Sequence, residues 1–130
     1  MDTSGFFASV TRGDINFATA QQVLARVANE RIELVTSSYT VAETHALFLA
    51  RSGRDAGIGF LRSFEGSTIG VIVPTPEDES DAREIVYRYT DKDFSLTDAI
   101  SFAVMQRLGI LTAFTFDRDF ERYGFASARA

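Results

Sequence analysis

The sequence of 130 residues contains no cysteine, no tryptophan, a single histidine and only two prolines. Without cysteine the chain can form no disulfide framework, no thiolate nucleophile and no zinc site built on sulfur. Any metal ion must therefore be held by oxygen ligands or by the one imidazole. No apolar run approaches the roughly 18 residues of a membrane span, and no charged leader precedes an apolar stretch. We therefore expect a cytoplasmic protein with no membrane partner.

Basic residues are also fewer than acidic ones. The chain has 13 Lys and Arg residues and 18 Asp and Glu residues, so its formal net charge is −5. This balance argues against a protein that holds nucleic acid through a broad basic face, but not against one that cuts it. The hydrophobic fraction of 45% and the charged fraction of 24% are typical of globular proteins. The length is that of one domain.

Hydrophobic periodicity predicts an alternation of helices and short strands. Apolar residues at three- and four-residue spacings predict helices over 3–12, 16–30, 40–51, 55–64, 77–89 and 96–108. Short β-rich runs between them predict strands over 32–36, 69–73 and 111–116. Strands separated by helices imply right-handed crossovers and a parallel sheet covered on both faces. The predicted fold class is α/β, a three-layer α/β/α arrangement with a central, mostly parallel sheet.

Four acidic residues interrupt apolar surroundings. Each lies at or just past the C-terminal end of a predicted strand, or in the first turns of the following helix: Asp2, Glu43, Asp98 and Asp117. In an open parallel sheet these strand ends share the edge where ligands bind. Carboxylates gathered there without basic partners would repel one another, and a divalent cation would remove that conflict. Mg²⁺ or Mn²⁺ suits such oxygen ligands and can activate water for phosphodiester hydrolysis.

Each of these residues also has an ordinary structural interpretation. Asp98 could be a helix N-terminal acid and Asp117 a turn residue, whereas a carboxylate such as Glu43 is rarely left unpaired in an apolar helix. The acids of the helix 77–89, Asp78 among them, are expected on a solvated face. Hydroxyl residues that flank the four acids could orient carboxylates or water, or could be ordinary caps: Thr3, Ser4, Thr97 and Thr115.

Four segments of the chain resemble the motifs of a known family. They are residues 2–8 (DTSGFFA), 40–44 (TVAET), 95–99 (SLTDA) and 115–120 (TFDRDF). In order and spacing they resemble the PIN-domain ribonucleases, and within that family the toxin halves of VapBC toxin–antitoxin modules. The resemblance covers nearly the whole chain. It implies a PIN-like fold with an acidic metal site made by Asp2, Glu43, Asp98 and Asp117, beside which lie Thr3, Ser4, Thr97 and Thr115.

The resemblance also implies a Mg²⁺- or Mn²⁺-dependent endoribonuclease, a homodimer, and an antitoxin whose C-terminal segment blocks the acidic pocket. Two features depart from the family pattern. Only Met1 precedes Asp2 where the family has an apolar strand, so we expect a single PIN-like domain over 1–130 with a truncated first strand. Asp119 also fits the last motif and is an alternative to Asp117 or an additional ligand.

Our leading hypothesis is therefore a metal-dependent endoribonuclease with an RNA substrate. In it, Asp2 and Asp98 coordinate the ion, Glu43 ligates the ion or activates water, and Asp117 completes the site. Phosphate contacts are expected from arginines near the sheet edge: Arg12, Arg51, Arg118 and Arg122.

Two alternatives from other classes stay open. A non-catalytic interaction module is favoured by the incomplete first strand and by the 12 Phe and 4 Tyr residues, more than a small core hides. The best candidates for an apolar surface that contacts a partner chain lie on the helices between 40 and 64, although some of them are expected to pack on the sheet: Phe48, Leu49, Phe60, Leu61 and Phe64. Phosphotransfer at an aspartate is the second, although receiver domains need a lysine at the end of a late strand and the one lysine, Lys92, precedes a helix.

Overall fold

The computed structural model describes residues 1–129. Within them the chain forms seven helices and four short strands: α1 (Thr3–Val10), α2 (Phe17–Asn29), β1 (Val35–Ser37), α3 (Ser38–Ser52), α4 (Arg54–Glu65), β2 (Gly70–Ile72), α5 (Pro76–Arg88), α6 (Leu96–Leu108), β3 (Thr112–Ala113), α7 (Arg118–Tyr123) and β4 (Ala126–Ser127). None of the helices in this part of the chain is long and apolar enough to cross a membrane.

Side-chain caps set where several helices begin. The Ser95 hydroxyl accepts a hydrogen bond from the backbone N–H of Asp98, so that α6 starts at the predicted residue. Gly109 ends the same helix in a left-handed conformation (φ 68°), which glycine adopts without a Cβ penalty. The helix bounds therefore agree with the sequence predictions to within about two residues, the usual scatter of helix ends.

The strands form two parallel pairs, β1 with β2 and β3 with β4. Met1 and Asp2 join the pairs into one surface. The α-ammonium group of Met1 donates to the carbonyl of Val35 (2.8 Å), and the backbone N–H of Asp2 donates to the carbonyl of Phe114 (3.2 Å). Across the sheet the order is therefore β2, β1, the segment Met1–Asp2, β3 and β4.

Helices cover this surface on both sides. Neighbouring residues along a strand point to opposite faces, and Ala113 packs in one cluster with α5, α6 and α7 while Phe114 packs in another with α1 and α2. A third cluster, between α1, α3 and α4, is built on Phe6, Phe48 and Phe60. The three-layer α/β/α class and the parallel sheet predicted from the sequence are confirmed.

A cavity of about 420 Å³ separates β1 from β3. Met1 and Asp2 lie at one end of it, Val23 and Val27 of α2 line it from one side, and Val104 of α6 lines it from the other. An engineered cavity of about 150 Å³ corresponds to one large apolar side chain removed from a core. The space between the two strand pairs is thus large enough for several side chains.

Two of the apolar residues considered for a partner surface on the helices between 40 and 64 pack inside the chain instead. Phe48 and Phe60 are buried, and their rings stack with centroids 5.5 Å apart. Phe6 of α1 contacts Phe60 edge to face at 5.5 Å. Much of the aromatic content of α3 and α4 therefore packs these helices against α1, whereas Leu49 remains 46% exposed.

The sequence prediction for Asp78 was wrong. Its side chain is 2% exposed, and it accepts hydrogen bonds from the Arg107 guanidinium of α6 at 2.8–3.1 Å. Asp78 also closes a capping box with Thr75 at the start of α5. The hydrogen bond from Arg107 lowers the pKa of Asp78 below its usual value. The helical pattern could not show that Arg107, 29 residues away, covers this position.

Replacing Asp78 by Ala is expected to lower the free energy of unfolding by about 2–3 kcal/mol, because it removes the cap of α5 and leaves Arg107 without its partner. Asp81→Ala changes an exposed acid of the same helix and is the matched control. Urea denaturation at pH 7 measures both. Equal losses in the two variants would mean that the Asp78–Arg107 pair contributes no stability.

Candidate metal centre

Asp2 is fixed at the N-terminus of α1 with both carboxylate oxygens engaged. It is the N-cap of that helix and accepts the backbone N–H of Gly5 (2.9 Å). Its other oxygen accepts the Thr115 hydroxyl (2.8 Å), and the Ser4 hydroxyl contacts both oxygens (2.8 and 3.0 Å). The side chain is 7% exposed, and this burial raises the pKa of Asp2 while the hydrogen bonds oppose the shift.

Gly5 allows α1 to lie directly on the chain that follows β3. A Cβ atom at this position would lie 2.6 Å from the carbonyl oxygen of Phe114, which is closer than van der Waals contact permits. The absence of a side chain thus brings the start of α1, with Asp2, against the segment that carries Thr115 and Asp117.

A chain of hydroxyl groups continues from Asp2 to Asp117. The Ser4 hydroxyl accepts the backbone N–H of Phe116 (2.8 Å), and the Thr115 hydroxyl accepts the backbone N–H of Asp117 (2.9 Å). Because these oxygens also contact Asp2, the two acidic positions are held in a fixed relation. The structure thus places Ser4 and Thr115 beside the acids, where the sequence analysis expects them.

Asp117 caps the N-terminus of α7, where its Oδ1 accepts the backbone N–H of Asp119 (2.9 Å). Carboxylate oxygens of Asp98, Asp117 and Asp119 lie within 4.8 Å of one another. Asp119 also forms an ion pair with Arg122 at 3.0 Å. Asp117 and Asp119 thus both approach Asp98, and Arg122 partly neutralises only Asp119.

Asp98 projects from the first turn of α6. Its pKa is raised from the usual 3.8 to about 7, first by burial and then by repulsion from Asp117, Glu43 and Asp2, against a smaller opposing effect of Ser95. Asp117, Glu43 and Asp2 are therefore close enough to Asp98 to raise its pKa. Thr97, also predicted to lie at the site, is partly exposed in the same turn.

Glu43 enters from α3 and is oriented by the hydroxyl of Thr3. That hydroxyl donates to Oε1 of Glu43 at 2.6 Å, and its oxygen lies 3.3 Å from the hydroxyl oxygen of the buried Thr44. Thr44 in turn donates to the Thr40 carbonyl (2.7 Å). Glu43 is thus held by its neighbours through one oxygen.

These acids surround one cavity of about 310 Å³. It is lined by Asp2, Thr3, Ser4, Phe7, Asp14, Asn16, Glu43, Leu47, Arg51, Asp98, Phe116 and Asp117. The sequence analysis did not single out Asp14 and Asn16, which lie in the turn before α2 where the backbone N–H of Asn16 donates to Asp14 (2.8 Å). A polar turn between two helices is too common to have identified them.

The arrangement fits a hard divalent cation. Within residues 1–129, no Lys or Arg forms an ion pair with Asp2, Glu43, Asp98 or Asp117. Burial and the neighbouring charges of Asp117, Glu43 and Asp2 raise the pKa of Asp98 to about 7. Carboxylate oxygens are the ligands of Mg²⁺ and Mn²⁺, and such an ion could satisfy several of them together.

The sequence of the chain is similar to a known family and to two named proteins. The PIN domain family matches residues 1–126. A 23S rRNA-specific endonuclease of Mycobacterium tuberculosis, VapC20, is 32% identical over 129 residues, which are 99% of this chain and 96% of the relative. Ribonuclease VapC26 of the same organism is 28% identical over 118 residues, 91% and 85% of the two chains.

A solved structure agrees with these relatives. The crystal structure of Mycobacterium tuberculosis VapC20, described as a toxin that cleaves the sarcin–ricin loop, superposes with a TM-score of 0.84 at 31% identity. The match covers 96% of this chain and 94% of the other. Both the sequence and the fold are therefore similar over nearly the full length.

Proposed function

The chain belongs to the PIN domain family, and from this premise we propose that it is a divalent-metal-dependent endoribonuclease, the toxin of a toxin–antitoxin pair. The observation that carries the proposal is the cavity in which Asp2, Glu43, Asp98 and Asp117 meet. Four carboxylates without basic partners are costly to keep in a folded protein unless a cation binds them. Relatives of similar length named as an rRNA endonuclease and a ribonuclease, the first of them described as a toxin in its solved structure, support the same activity.

In this proposal Asp2, Asp98 and Asp117 hold Mg²⁺ or Mn²⁺, and Asp119 assists Asp117. When bound, the ion would supply a Lewis acid that lowers the pKa of water and neutralises charge on the phosphate. Ser4 and Thr115 keep both oxygens of Asp2 in place through their hydroxyl groups. Preorganised ligands of this kind need no rearrangement during the reaction.

Glu43 is the candidate general base. Thr3 occupies Oε1 of Glu43, so that Oε2 could accept the proton of the attacking water. The attack would be in line with the departing oxygen of the phosphodiester, and the RNA 2′-hydroxyl would not be required. Removal of the Thr3 hydroxyl would leave Glu43 less well oriented.

The substrate we propose is RNA, and the loop named for VapC20 is the first to test on this chain. A cognate antitoxin that covers the acidic cavity is the proposed partner. The homodimer and the cytoplasmic location expected from the sequence stay predictions.

The direct test is cleavage of an RNA oligonucleotide with the sarcin–ricin loop sequence and of an unrelated single-stranded RNA. With Mg²⁺ or Mn²⁺ we expect endonucleolytic cleavage of at least one of them, and with EDTA a loss of at least roughly 100-fold in rate, since metal activation contributes several kcal/mol. Isothermal titration with Mn²⁺ measures ion binding separately. Metal-independent cleavage would contradict the proposed mechanism, and failure to bind Mn²⁺ at all would favour the non-catalytic module.

A further inference from the structure

One wall of the acidic cavity is a single face of α3. Glu43, Leu47 and Arg51 all line the cavity and follow one another at four-residue spacing. At 1.5 Å per residue, Arg51 lies roughly 12 Å along the helix axis from Glu43. The same helix therefore places a carboxylate of the metal site and a cation farther along one wall.

The Arg51 side chain is anchored on an aromatic ring. The central guanidinium carbon lies 4.9 Å from the centroid of the Phe7 ring, which also lines the cavity. Phe7 is itself held against Phe48, whose ring centroid is 5.3 Å away. A guanidinium over a ring is attracted to the ring face while its N–H groups at the edge stay free to donate.

Of the four arginines expected near the sheet edge, Arg51 is the one that lines the acidic cavity. Arg12, Arg118 and Arg122 do not line the cavity, and Arg122 is paired with Asp119. Arg51 is exposed and forms no ion pair within residues 1–129. It is thus the guanidinium on the cavity wall that remains available to a ligand.

An exposed cation beside a group of carboxylates has a clear chemical use. The acidic cavity repels the phosphates on either side of the one that is cleaved, and a positive charge farther along the wall would offset this repulsion. The guanidinium fork fits the geometry of a phosphate group better than an ammonium does.

We propose that Arg51, supported by Phe7, is a positioning residue that binds an RNA phosphate adjacent to the one being cleaved. This inference rests on the proposed endoribonuclease activity and adds the path of the RNA strand, along α3 from Glu43 toward Arg51. Arg51 takes no part in bond breaking, and its effect is on binding and register of the substrate.

The test compares Arg51→Ala and Arg51→Lys with Arg62→Ala, which removes the same charge from an exposed position on α4 outside the cavity. Arg51→Ala should raise KM about tenfold with little change in kcat. In an Asp98→Asn background, which serves as an inactive binding form, it should reduce the slope of log Kd against log salt by about one. Arg51→Lys should recover the salt slope but only part of the affinity.

Two further readouts separate this role from others. Mn²⁺ affinity should be unchanged in Arg51→Ala, and a loss of Mn²⁺ binding would overturn the inference by making Arg51 a support of the metal site. If Arg51→Ala matches Arg62→Ala in KM and salt slope while Asp98→Asn abolishes cleavage, the inference is wrong and the endoribonuclease assignment stands. If Asp98→Asn cleaves normally, it is the proposed function that fails.

Discussion

Replacing Asp98 by Asn is expected to reduce RNA cleavage by at least roughly 100-fold and, at the same time, to stabilise the metal-free protein. The activity is lost because Asn keeps the shape of the side chain but removes the charge that binds a cation. The metal-free fold becomes more stable because Asp98 is partly buried beside Asp117, Glu43 and Asp2, which disfavour its ionised form. Opposite effects on activity and stability are typical of residues kept for function.

The stabilising effect depends on pH in a defined direction. Asp98 has a pKa of about 7 in the folded protein against the usual 3.8. Between these values the folded state binds more protons than the unfolded state, so the contribution of Asp98 to stability falls as pH rises and is fully lost above about pH 7. After allowance for solvent screening, Asp98→Asn should add about 1–2 kcal/mol at pH 8 and much less at pH 4.

Thermal unfolding in EDTA at pH 4, 6 and 8 measures this difference between Asp98→Asn and the unmodified chain. Asp91→Asn is a suitable control, since Asp91 is exposed and its pKa is lowered by the neighbouring Lys92. Saturating Mn²⁺ should reverse the order, because only the unmodified chain keeps the full set of ligands. Equal stability at pH 8 in EDTA would contradict the unfavourable burial and charge repulsion described for the Asp98 carboxylate.

The helices could be predicted from the sequence because their signals are local. The α6 bounds follow from Ser95 at one end and Gly109 at the other, both of which act within a few residues. The predicted bounds of the strands were less accurate than those of the helices. The predicted strand 111–116 is reduced to Thr112–Ala113, and α7 and β4 were not predicted, since β4 exists only through pairing with β3. A run of apolar residues does not reveal where its partner strand stops.

The site was partly predictable for the same reason. Asp2, Glu43, Asp98 and Asp117 stand out because a carboxylate is unusual next to apolar residues, whatever the fold. The burial of Asp78 and the contact of Arg51 with the Phe7 ring could not be predicted, since each depends on which helix packs beside it. A charged residue on a helix face can be exposed to solvent, but whether it is exposed depends on which other helix packs against that face.

An N-terminal extension of four apolar residues before Met1 is expected to raise the free energy of unfolding by about 2–4 kcal/mol and the melting temperature by roughly 10 °C. The reason is the cavity between β1 and β3, where burial has also lowered the pKa of the Met1 ammonium group. A four-residue strand spans roughly 13 Å. Valine and isoleucine suit it because α2 and α6 present apolar side chains on both faces.

The backbone groups for such a strand are already in place. The carbonyl of Leu34 faces β2 and accepts from Gly70, so alternation turns the carbonyls of Val35 and Glu33 toward the cavity. On the other side, the carbonyls of Leu111 and Ala113 face β4. The carbonyls of Thr112 and Phe114 therefore also face the cavity. Two of these cavity-facing carbonyls already accept hydrogen bonds, that of Val35 from Met1 and that of Phe114 from Asp2.

An added strand would continue this ladder, with its N–H groups donating to the carbonyls of Thr112 and Glu33 in parallel register with both neighbours. It would also replace the buried ammonium of Met1 by a neutral amide, which relieves part of the desolvation that now acts on that group. An extension of equal length made of Gly and Ser is the control, since it can form the hydrogen bonds but buries no side chains. The apolar extension should melt higher than this control, and its amides should be protected from hydrogen exchange. If both extensions melt at the temperature of the unextended chain, the cavity does not accept a strand.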